Sequence, residues 1–311
     1  MKYNRILVTG SHGFIASNLY QYLTTLDEQP VIRLFDRAYG QDLTRWDDVD
    51  KAWGNFEPDA CINLASFTHI DSSIKEPVPF CKNNVELMFN VLEACRKHDV
   101  RLIHMSSSEV YGTNKNPNGE AMSETHLLQP HSPYAGSKAS QDRFLYSWWQ
   151  TYGLDASIVR GFNQFGPLQQ LEKMIPKTIT RILKGEAIPV YAEGLARRDW
   201  VYVQDTVRGI VLALESLPAG DVVNLATGVN YSVMELVENI KSVMGEMGYQ
   251  DKSKVVTIDH VDDRSGHVYN LLGDATKAKE LLGWIPEHTL REGLRKTVQW
   301  LVNSDWGLIS R

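Results

Sequence analysis

The sequence predicts an α/β fold in which a Rossmann-like, doubly wound parallel sheet is combined with a smaller, interleaved C-terminal lobe. Short apolar runs rich in β-branched residues alternate with longer helical patterns through the first half of the chain, an order that favours parallel strands joined by helices. A glycine-rich turn follows the first run, at residues 9–13. Polar residues follow a later run, at 106–109, where open parallel sheets bind their ligands.

The predicted elements follow one another in chain order. Apolar runs indicate strands at 6–8, 31–35, 58–65, 101–105 and 156–160. Helical spacing of apolar residues predicts helices that begin near residue 13 and that cover 46–53, 73–98 and 134–149. Proline and glycine cut the second half into shorter pieces, in which helices are predicted to open at 172–176 and to cover 233–244 and 290–301.

Composition limits the classes of partner. The chain has 311 residues, of which 43% are hydrophobic and 23% charged, as in ordinary globular proteins. Its net charge is −6 and it has no basic cluster, which argues against nucleic acid as a partner. The three cysteines fit no metal-ligand spacing, so no metal site is predicted. Neither a membrane-length apolar run nor a signal-peptide pattern is present, so we expect a cytoplasmic protein without a membrane partner.

The turn after the first strand is suited to a pyrophosphate. Gly10 and Gly13 permit a tight turn and a close approach of the backbone, and Ala16 lets the helix pack close to the strand. The helix that begins near Gly13 presents free N–H groups and the positive end of its dipole. Together with an acidic residue after the second strand, this pattern predicts a dinucleotide site.

That acidic residue is Asp36. A carboxylate at this place accepts hydrogen bonds from both ribose hydroxyls and repels a 2′-phosphate, which favours NAD over NADP. Arg37 gives the opposing signal, because an arginine beside the ribose could hold that phosphate. We expect residues 1–165 to form an NAD-binding domain, to which 195–220 returns, and residues 166–311 to form mainly a substrate-binding lobe.

Tyr134 and Lys138 stand four residues apart. On a helix, residues i and i+4 share a face, so the ammonium would favour the phenolate and lower the tyrosine pKa from about 10. A tyrosine tuned in this way can take a proton from an alcohol while hydride leaves the same carbon. The same residues also fit an ordinary helix start, with Ser132 as the cap and Pro133 in the first turn.

Ordered motifs over nearly the whole chain resemble the extended short-chain dehydrogenase/reductase family, in particular its nucleotide-sugar 4,6-dehydratases and epimerases. Gly10-x-x-Gly13-x-x-Ala16 is similar to the family's cofactor loop, and Tyr134 and Lys138 fall on its catalytic pair. The segments most similar to the dehydratases are 68–74, 163–167, 172–176 and 198–203.

The resemblance implies an NAD-dependent enzyme that acts on a UDP- or dTDP-hexose. The catalytic residues it implies are Ser107, Ser108, Glu109, Tyr134 and Lys138. Those next to the cofactor are Gly10, His12, Gly13, Phe14, Ile15, Asp36, Arg37, Asp42, Leu43, Leu64, Ala65, Ser66, Tyr134 and Lys138. Those next to the substrate are Thr68, Asn163, Lys173, Met174, Arg198 and Arg264.

In the implied reaction, Tyr134 takes the proton of the C4 hydroxyl while the C4 hydride passes to the nicotinamide, and Ser107 hydrogen-bonds the same oxygen. Glu109 then removes the C5 proton, the C6 hydroxyl leaves as water, and the hydride returns to C6. The chain departs from the usual dehydratase at Ser108, where that enzyme has an aspartic acid for the leaving hydroxyl. A hydroxyl is a far weaker acid than a carboxyl group.

Ser108 keeps two alternatives open. A serine before the glutamate is similar to UDP-glucuronate decarboxylases, and C4 epimerases share the scaffold, although they commonly lack the glutamate. A non-catalytic nucleotide-binding protein is a remote third interpretation. The link between Asp36 and Asp42 is shorter than in many relatives, which predicts an open or rebuilt cofactor pocket. The family usually forms a homodimer, which implies an interface on the helices that begin near Val78 and Tyr134.

Overall fold

A parallel sheet of six strands forms the centre of the N-terminal part. The computed structural model describes residues 1–115, 119–249 and 256–304. The sheet consists of β1 (Arg5–Thr9), β2 (Val31–Phe35), β3 (Ala60–Asn63), β4 (Arg101–Ser107), β5 (Ala156–Gly161) and β9 (Val222–Leu225). Its strand order is β2-β1-β3-β4-β5-β9. The chain runs outward from β1 to β2 and then crosses to β3, which leaves a crevice at the carboxyl ends of β1 and β3. The predicted doubly wound parallel sheet is confirmed.

Helices cover both faces of this sheet, so its strands are apolar on both sides. Helices α1 (Phe14–Leu23) and α7 (Val203–Ser216) pack together on one face. The other face carries α2 (Trp46–Phe56), α4 (Pro77–His98) and α5 (Pro133–Tyr152). Alternation along the strands separates the two cores: Leu7 and Cys61 belong to the second face, and Ile6 and Ile62 to the first.

The C-terminal lobe is built from two small sheets and short helices. The order β10-β8-β6 joins β10 (Asn230–Ser232), β8 (Arg197–Tyr202) and β6 (Asn163–Phe165), and β11 (Ile258–Val261) pairs with β7 (Ile188–Tyr191). The helices are α6 (Met174–Lys184), α8 (Val233–Glu246), α9 (Thr276–Leu282) and α10 (Leu290–Asn303). Strand β6 follows directly from β5, and β9 returns to the main sheet after the lobe has begun, so the two parts are interleaved.

The helix predicted over 73–98 is wrong as one element. It consists of α3 (Ile70–Lys75) and α4, separated by Glu76. Glu76 has φ −130° and ψ 67°, outside the helical region, because Pro77 disfavours helical backbone in the residue before it. The third strand is also shorter than predicted, since only 60–63 join the ladder.

Candidate active site

The start of α5 fixes Tyr134 and Lys138 beside the carboxyl end of β4. Ser132 caps the helix by accepting the Ala135 N–H at 3.2 Å, and Pro133 is its first residue. The Lys138 ammonium donates to the Met105 carbonyl of β4 at 2.9 Å. Tyr134 is 8% exposed and Lys138 is 4% exposed. Both side chains are therefore removed from bulk water.

Burial determines the acid–base state of this pair. It raises the pKa of Tyr134 to about 12; a hydrogen bond with Ser107 opposes the rise and the Glu109 charge adds to it. Burial lowers the pKa of Lys138 to about 8, against the attraction of Asp142. The predicted lowering of the tyrosine pKa is therefore wrong for this arrangement. The lysine is bonded to the backbone of β4, and the loss of solvation at the phenol outweighs the hydrogen bond.

The end of β4 supplies the two serines and the glutamate. A single 3-10 turn over Ser108–Tyr111 follows the strand, and Ser107 caps it by accepting the Glu109 N–H at 3.2 Å. Ser108 is 2% exposed and Glu109 is 8% exposed. Because Ser107 and Glu109 both act on the pKa of Tyr134, the strand end and the helix start form one site.

Cationic side chains of the C-terminal lobe close the other side of this site. The Arg198 Nε of β8 lies 3.8 Å from Glu109 Oε1. Burial lowers the pKa of Arg198, Glu109 opposes this and Arg264 adds to it. Burial also lowers the pKa of Lys173, with Glu172 raising it and Arg264 again lowering it. Lys173, Arg198 and Arg264 therefore form a cationic cluster, in which the charge of Arg264 disfavours the charged forms of the other two.

Arg264 has spare donor capacity toward a ligand. Its Nη1 lies 3.8 Å from Asp71 Oδ1 and its guanidinium lies 5.7 Å from the ring centre of Tyr191. The Arg264 Nε is buried and has no hydrogen-bond partner among the described residues. Guanidinium groups suit the paired oxygens of a diphosphate, so a cluster with an unsatisfied donor fits an anionic ligand.

The other three predicted substrate residues are placed less closely. Asn163 lies on β6, opposite Trp200 of β8, and Met174 is the half-buried first residue of α6. Thr68 is exposed in the segment between β3 and α3. Within the described ranges, no side-chain hydrogen bond joins any of these three to the cationic cluster.

The glycine-rich turn lies against the end of β3. Gly10 has φ +64°, and a Cβ there would lie 2.7 Å from the Ala65 backbone nitrogen, so any side chain would push the turn away from the strand. Gly13 caps α1, whose first turn, with the half-buried Phe14 and Ile15, leaves N–H groups without an intrahelical acceptor. This cradle fits the pyrophosphate of a dinucleotide.

A cleft beside the turn collects the other predicted cofactor residues. Both oxygens of Asp36 are anchored by the backbone, since Oδ2 accepts the His12 N–H at 3.0 Å and Oδ1 accepts the Ala38 N–H at 2.9 Å. Leu64 follows β3, half-buried, and donates its N–H to the Thr9 carbonyl. The cleft is lined by Gly10, Phe35, Asp36, Arg37, Gln41, Asp42, Leu43, Ala65, Ser66, Phe67, Asn83 and Leu87.

Sequence reasoning missed Asn84, which ties the two halves of the site together. Its Nδ2 donates to the Phe67 carbonyl at 3.0 Å and to Ser137 Oγ at 2.9 Å, and its Oδ1 accepts the Phe67 N–H at 2.8 Å. The loop after β3 is thereby fastened to α5. The available signal was a pair of asparagines, Asn83 and Asn84, inside a helix that is otherwise apolar on its inner face. Phe67 and Tyr191 were missed because each looks like an ordinary apolar residue.

Three comparisons with known proteins agree with this geometry. A family model described as GDP-mannose 4,6 dehydratase matches residues 7–297. The chain is 32% identical to a dTDP-glucose 4,6-dehydratase of Shigella flexneri, over 97% of this chain and 94% of the relative. A dTDP-glucose 4,6-dehydratase double mutant of Streptomyces venezuelae, solved with NAD, has a TM-score of 0.88 at 30% identity, covering 97% of this chain and 98% of that one. A UDP-glucose 4-epimerase of Thermus thermophilus, also solved with NAD, has a TM-score of 0.88 at 28% identity, covering 96% and 99%.

The fold and the site define the class of protein as an extended short-chain dehydrogenase/reductase of the nucleotide-sugar dehydratase and epimerase group. This confirms the group predicted from the sequence. Within it, the chain belongs to the GDP-mannose 4,6 dehydratase family, whose model matches almost its full length.

Proposed function

We propose that the protein is an NAD-dependent nucleotide-sugar 4,6-dehydratase, a lyase. The observation that carries the proposal is the position of Glu109, a buried carboxylate close enough to Tyr134 to raise its pKa. A base beside the oxidising tyrosine can remove the proton on the neighbouring carbon, a step that dehydration requires and C4 epimerisation does not. Curated relatives about 30% identical over their full length are named dTDP-glucose 4,6-dehydratases, which supports the same reaction.

NAD, when bound, supplies a hydride acceptor that also returns the hydride, so no external reductant is consumed. The turn at Gly10 and the first turn of α1 would hold its pyrophosphate, and Asp36 its adenosine ribose. Neighbouring structures solved with NAD support this choice of cofactor.

The residues of the site divide the proton transfers between them. Tyr134 takes the C4 hydroxyl proton, and Ser107, which hydrogen-bonds the phenol, holds the same oxygen. Lys138 stabilises the phenolate that results, since a charge buried at this depth requires a counter-charge. Glu109 then takes the C5 proton, which the C4 ketone has made acidic, and Ser108 hydrogen-bonds the C6 hydroxyl as it leaves.

The cationic cluster of Lys173, Arg198 and Arg264 would bind the diphosphate of the substrate. Burial lowers the pKa of Lys173 and of Arg198, and the charge of Arg264 lowers both further, so an anion placed among the three relieves repulsion as well as forming hydrogen bonds. We infer a UDP- or dTDP-hexose as the substrate, because proteins similar to this chain are named for dTDP-glucose or UDP-glucose.

A second candidate function rests on Ser108. It is neutral and 2% exposed, so the site lacks the carboxylic acid expected for the leaving hydroxyl. C4 epimerisation and decarboxylation of a C6 carboxylate need no acid at that place, and both start from the same C4 oxidation by Tyr134. Epimerases are among the structural neighbours.

Incubation with UDP- and dTDP-hexoses in deuterated water separates these reactions. We expect a product lighter by one water that carries deuterium at C5, detected by mass spectrometry and NMR. Unchanged mass with an inverted C4 would show epimerisation, and release of carbon dioxide from a hexuronic acid would show decarboxylation. A protein that converts no sugar nucleotide, and shows no transient reduction of bound NAD with any of them, would contradict all three reactions.

We further infer a cytoplasmic homodimer. In the described parts of the chain no helix is long and apolar enough to cross a membrane, and all three cysteines are free, as in a reducing compartment. Helices α4 and α5 share an outer face with the half-buried rings of Phe89, Phe144 and Trp148. Aromatic residues are enriched in interfaces, which supports this face as the subunit contact.

A further inference from the structure

The short segment after Asp36 is closed by ion pairs. Arg37 Nε donates to Asp42 Oδ2 at 2.9 Å, and Arg37 Nη2 donates to Asp42 Oδ1 at 2.9 Å. The next arginine, Arg45, donates from Nε to Asp48 at 2.8 Å and from Nη2 to the Gly40 carbonyl at 2.9 Å. Arg37, which lines the cofactor cleft, is thus neutralised by Asp42 of the same segment, and Arg45 is paired with Asp48 at the start of α2.

The Arg37 guanidinium is held on three sides. Besides Asp42, its Nη2 donates to Asn83 Oδ1 at 2.7 Å, and its plane lies 5.1 Å from the ring centre of Phe67. Nε and Nη2 form the edge that a phosphate takes in a bidentate contact. Every N–H of that edge is already used, so Arg37 has no free edge of this kind for an anion.

Asp42 is itself fixed in the charged state. Its Oδ1 also accepts the Thr44 N–H and the Thr44 hydroxyl, both at 2.9 Å. Burial tends to raise the pKa of Asp42, but the hydrogen bonds from Arg37 and Thr44 outweigh it and lower that pKa. Asp42 therefore stays ionised at neutral pH, which keeps its two hydrogen bonds with Arg37 charge-assisted.

We propose that Asp42 is a specificity-determining residue that secures the choice of NAD over NADP by holding Arg37 away from a 2′-phosphate. The inference rests on the proposed NAD dependence and assigns Asp42 a role toward Arg37 rather than toward the cofactor alone. It also gives the short 36–42 link a function: a link of this length brings a carboxylate back onto the arginine next to Asp36.

Isothermal titration of NAD and NADP against the wild type, Asp42→Asn, Arg37→Ala and the double variant tests this role. Asparagine keeps the size of the side chain but releases the charge on Arg37, so we expect the preference for NAD over NADP to narrow about tenfold, the value of one charge-assisted hydrogen bond. The change must need Arg37: in the Arg37→Ala background, Asp42→Asn should leave the preference within about twofold. The ratio of the affinities for NAD and NADP is the quantity compared. Any contact of Asp42 with the part that the two cofactors share affects both affinities equally and leaves this ratio unchanged.

Asp50→Asn is the matched control, because Asp50 pairs with Lys97 on the outer side of α2, away from the cleft. Thermal melts of all variants show whether each remains folded. Tight NAD binding with an unchanged preference in Asp42→Asn contradicts the inference alone, and so does an equal narrowing without Arg37. A wild type that binds neither nucleotide contradicts both this inference and the proposed cofactor.

Discussion

At the scale of the residue, the proposed loss of water depends on removal of the C5 proton by Glu109. The carboxylate is 8% exposed and lies 3.8 Å from Arg198. Glu109→Gln keeps its size and removes its basicity, so we predict that C4 oxidation continues while loss of water slows by a factor on the order of 10² to 10⁴. Stopped-flow absorbance should then show reduced nicotinamide that builds up and does not decay.

A matched control for this variant is Glu238→Gln, which removes an exposed carboxylate paired with Lys241 on α8. It should turn over like the wild type. Full turnover by Glu109→Gln, with normal deuterium incorporation at C5, would remove Glu109 from the mechanism and assign the C5 proton to another base.

The ionisation of Lys138 predicts how kcat/KM depends on pH. Its pKa is lowered to about 8 by burial, so the ammonium is charged below that pH and neutral above it. If its charge stabilises the phenolate of Tyr134, kcat/KM should fall as the pH rises through about 8. Lys138→Arg keeps the charge at every accessible pH, so the variant should be slower but should lack this decline.

The same shift has an effect on stability with the opposite sign. The ordinary lysine pKa of 10.5 exceeds the folded value of about 8, so the unfolded chain binds more protons between them and stability rises with pH across that window.

If the decline in kcat/KM persists in Lys138→Arg, the decline comes from the titration of another group. Melting curves of both proteins at each pH distinguish a loss of folding from a loss of charge.

At the scale of the element, the turn between β1 and α1 tests the cofactor site. Gly10 has φ +64° and no room for a Cβ. We predict that Gly10→Ala costs about 1–3 kcal/mol of stability and weakens NAD binding more than it lowers the melting temperature, because the turn must move from the end of β3. Calorimetric titration and thermal melts measure the two effects separately.

Gly54→Ala is the control for that variant. Gly54 lies inside α2 with nothing within 4 Å of its added Cβ, so alanine should stabilise the protein by roughly 0.5–1 kcal/mol and leave NAD binding unchanged. If Gly10→Ala bound NAD as well as Gly54→Ala does, the turn could not be the pyrophosphate cradle.

The elements that could be predicted from sequence are those whose pattern is long enough to show a period. The five strands predicted in the first half all lie in the main sheet, because each is a buried apolar run between clear breaks. Strands β6 and β10 are only three residues long, too short for any alternation to appear. Their positions depend on pairing with β8, a contact between distant parts of the chain.

The sequence indicated which residues belong to the cofactor site, but not which of their side chains pair with one another. Asp36 and Arg37 were visible as opposing signals for the cofactor, yet nothing in the sequence showed that Asp42 takes up the arginine. The predicted direction of the pKa shift of Tyr134 was wrong for the same reason. It depends on how deeply the phenol is buried and where the Lys138 ammonium points, and both are properties of the packed structure.

At the scale of the whole molecule, the outer face of α4 and α5 carries a stripe of aromatic rings. Phe89 lies 4.6 Å from Phe144 and 5.9 Å from Trp148, ring centre to ring centre, and Trp148 lies 5.8 Å from Tyr152. Tyr152 is 56% exposed. A continuous aromatic stripe of this kind is costly to leave in water and is typical of a contact surface.

We predict that Phe144→Glu converts a dimer to a monomer. A carboxylate in the middle of the stripe would have to be buried without a partner on association, which is strongly unfavourable. Because Phe144 also packs in part against the core of its own subunit, thermal melts must show that the variant remains folded. Sedimentation velocity of the wild type and the variant at the same concentration measures the change in mass. Tyr20→Glu is the matched control, because Tyr20 is 42% exposed on α1, on the opposite face of the sheet.

The outcome also bears on the active site, because α5 carries Tyr134 and Lys138 at its start and the stripe further along. Dimerisation through this helix would stiffen the element that positions the catalytic pair, so the monomeric variant should lose turnover as well as mass. A wild type that sediments as a monomer, or a Phe144→Glu variant that remains dimeric, would exclude this face as the interface. A monomeric variant with full activity would show instead that α5 is held firmly enough within one subunit, by Asn84 and the Lys138 bond to β4.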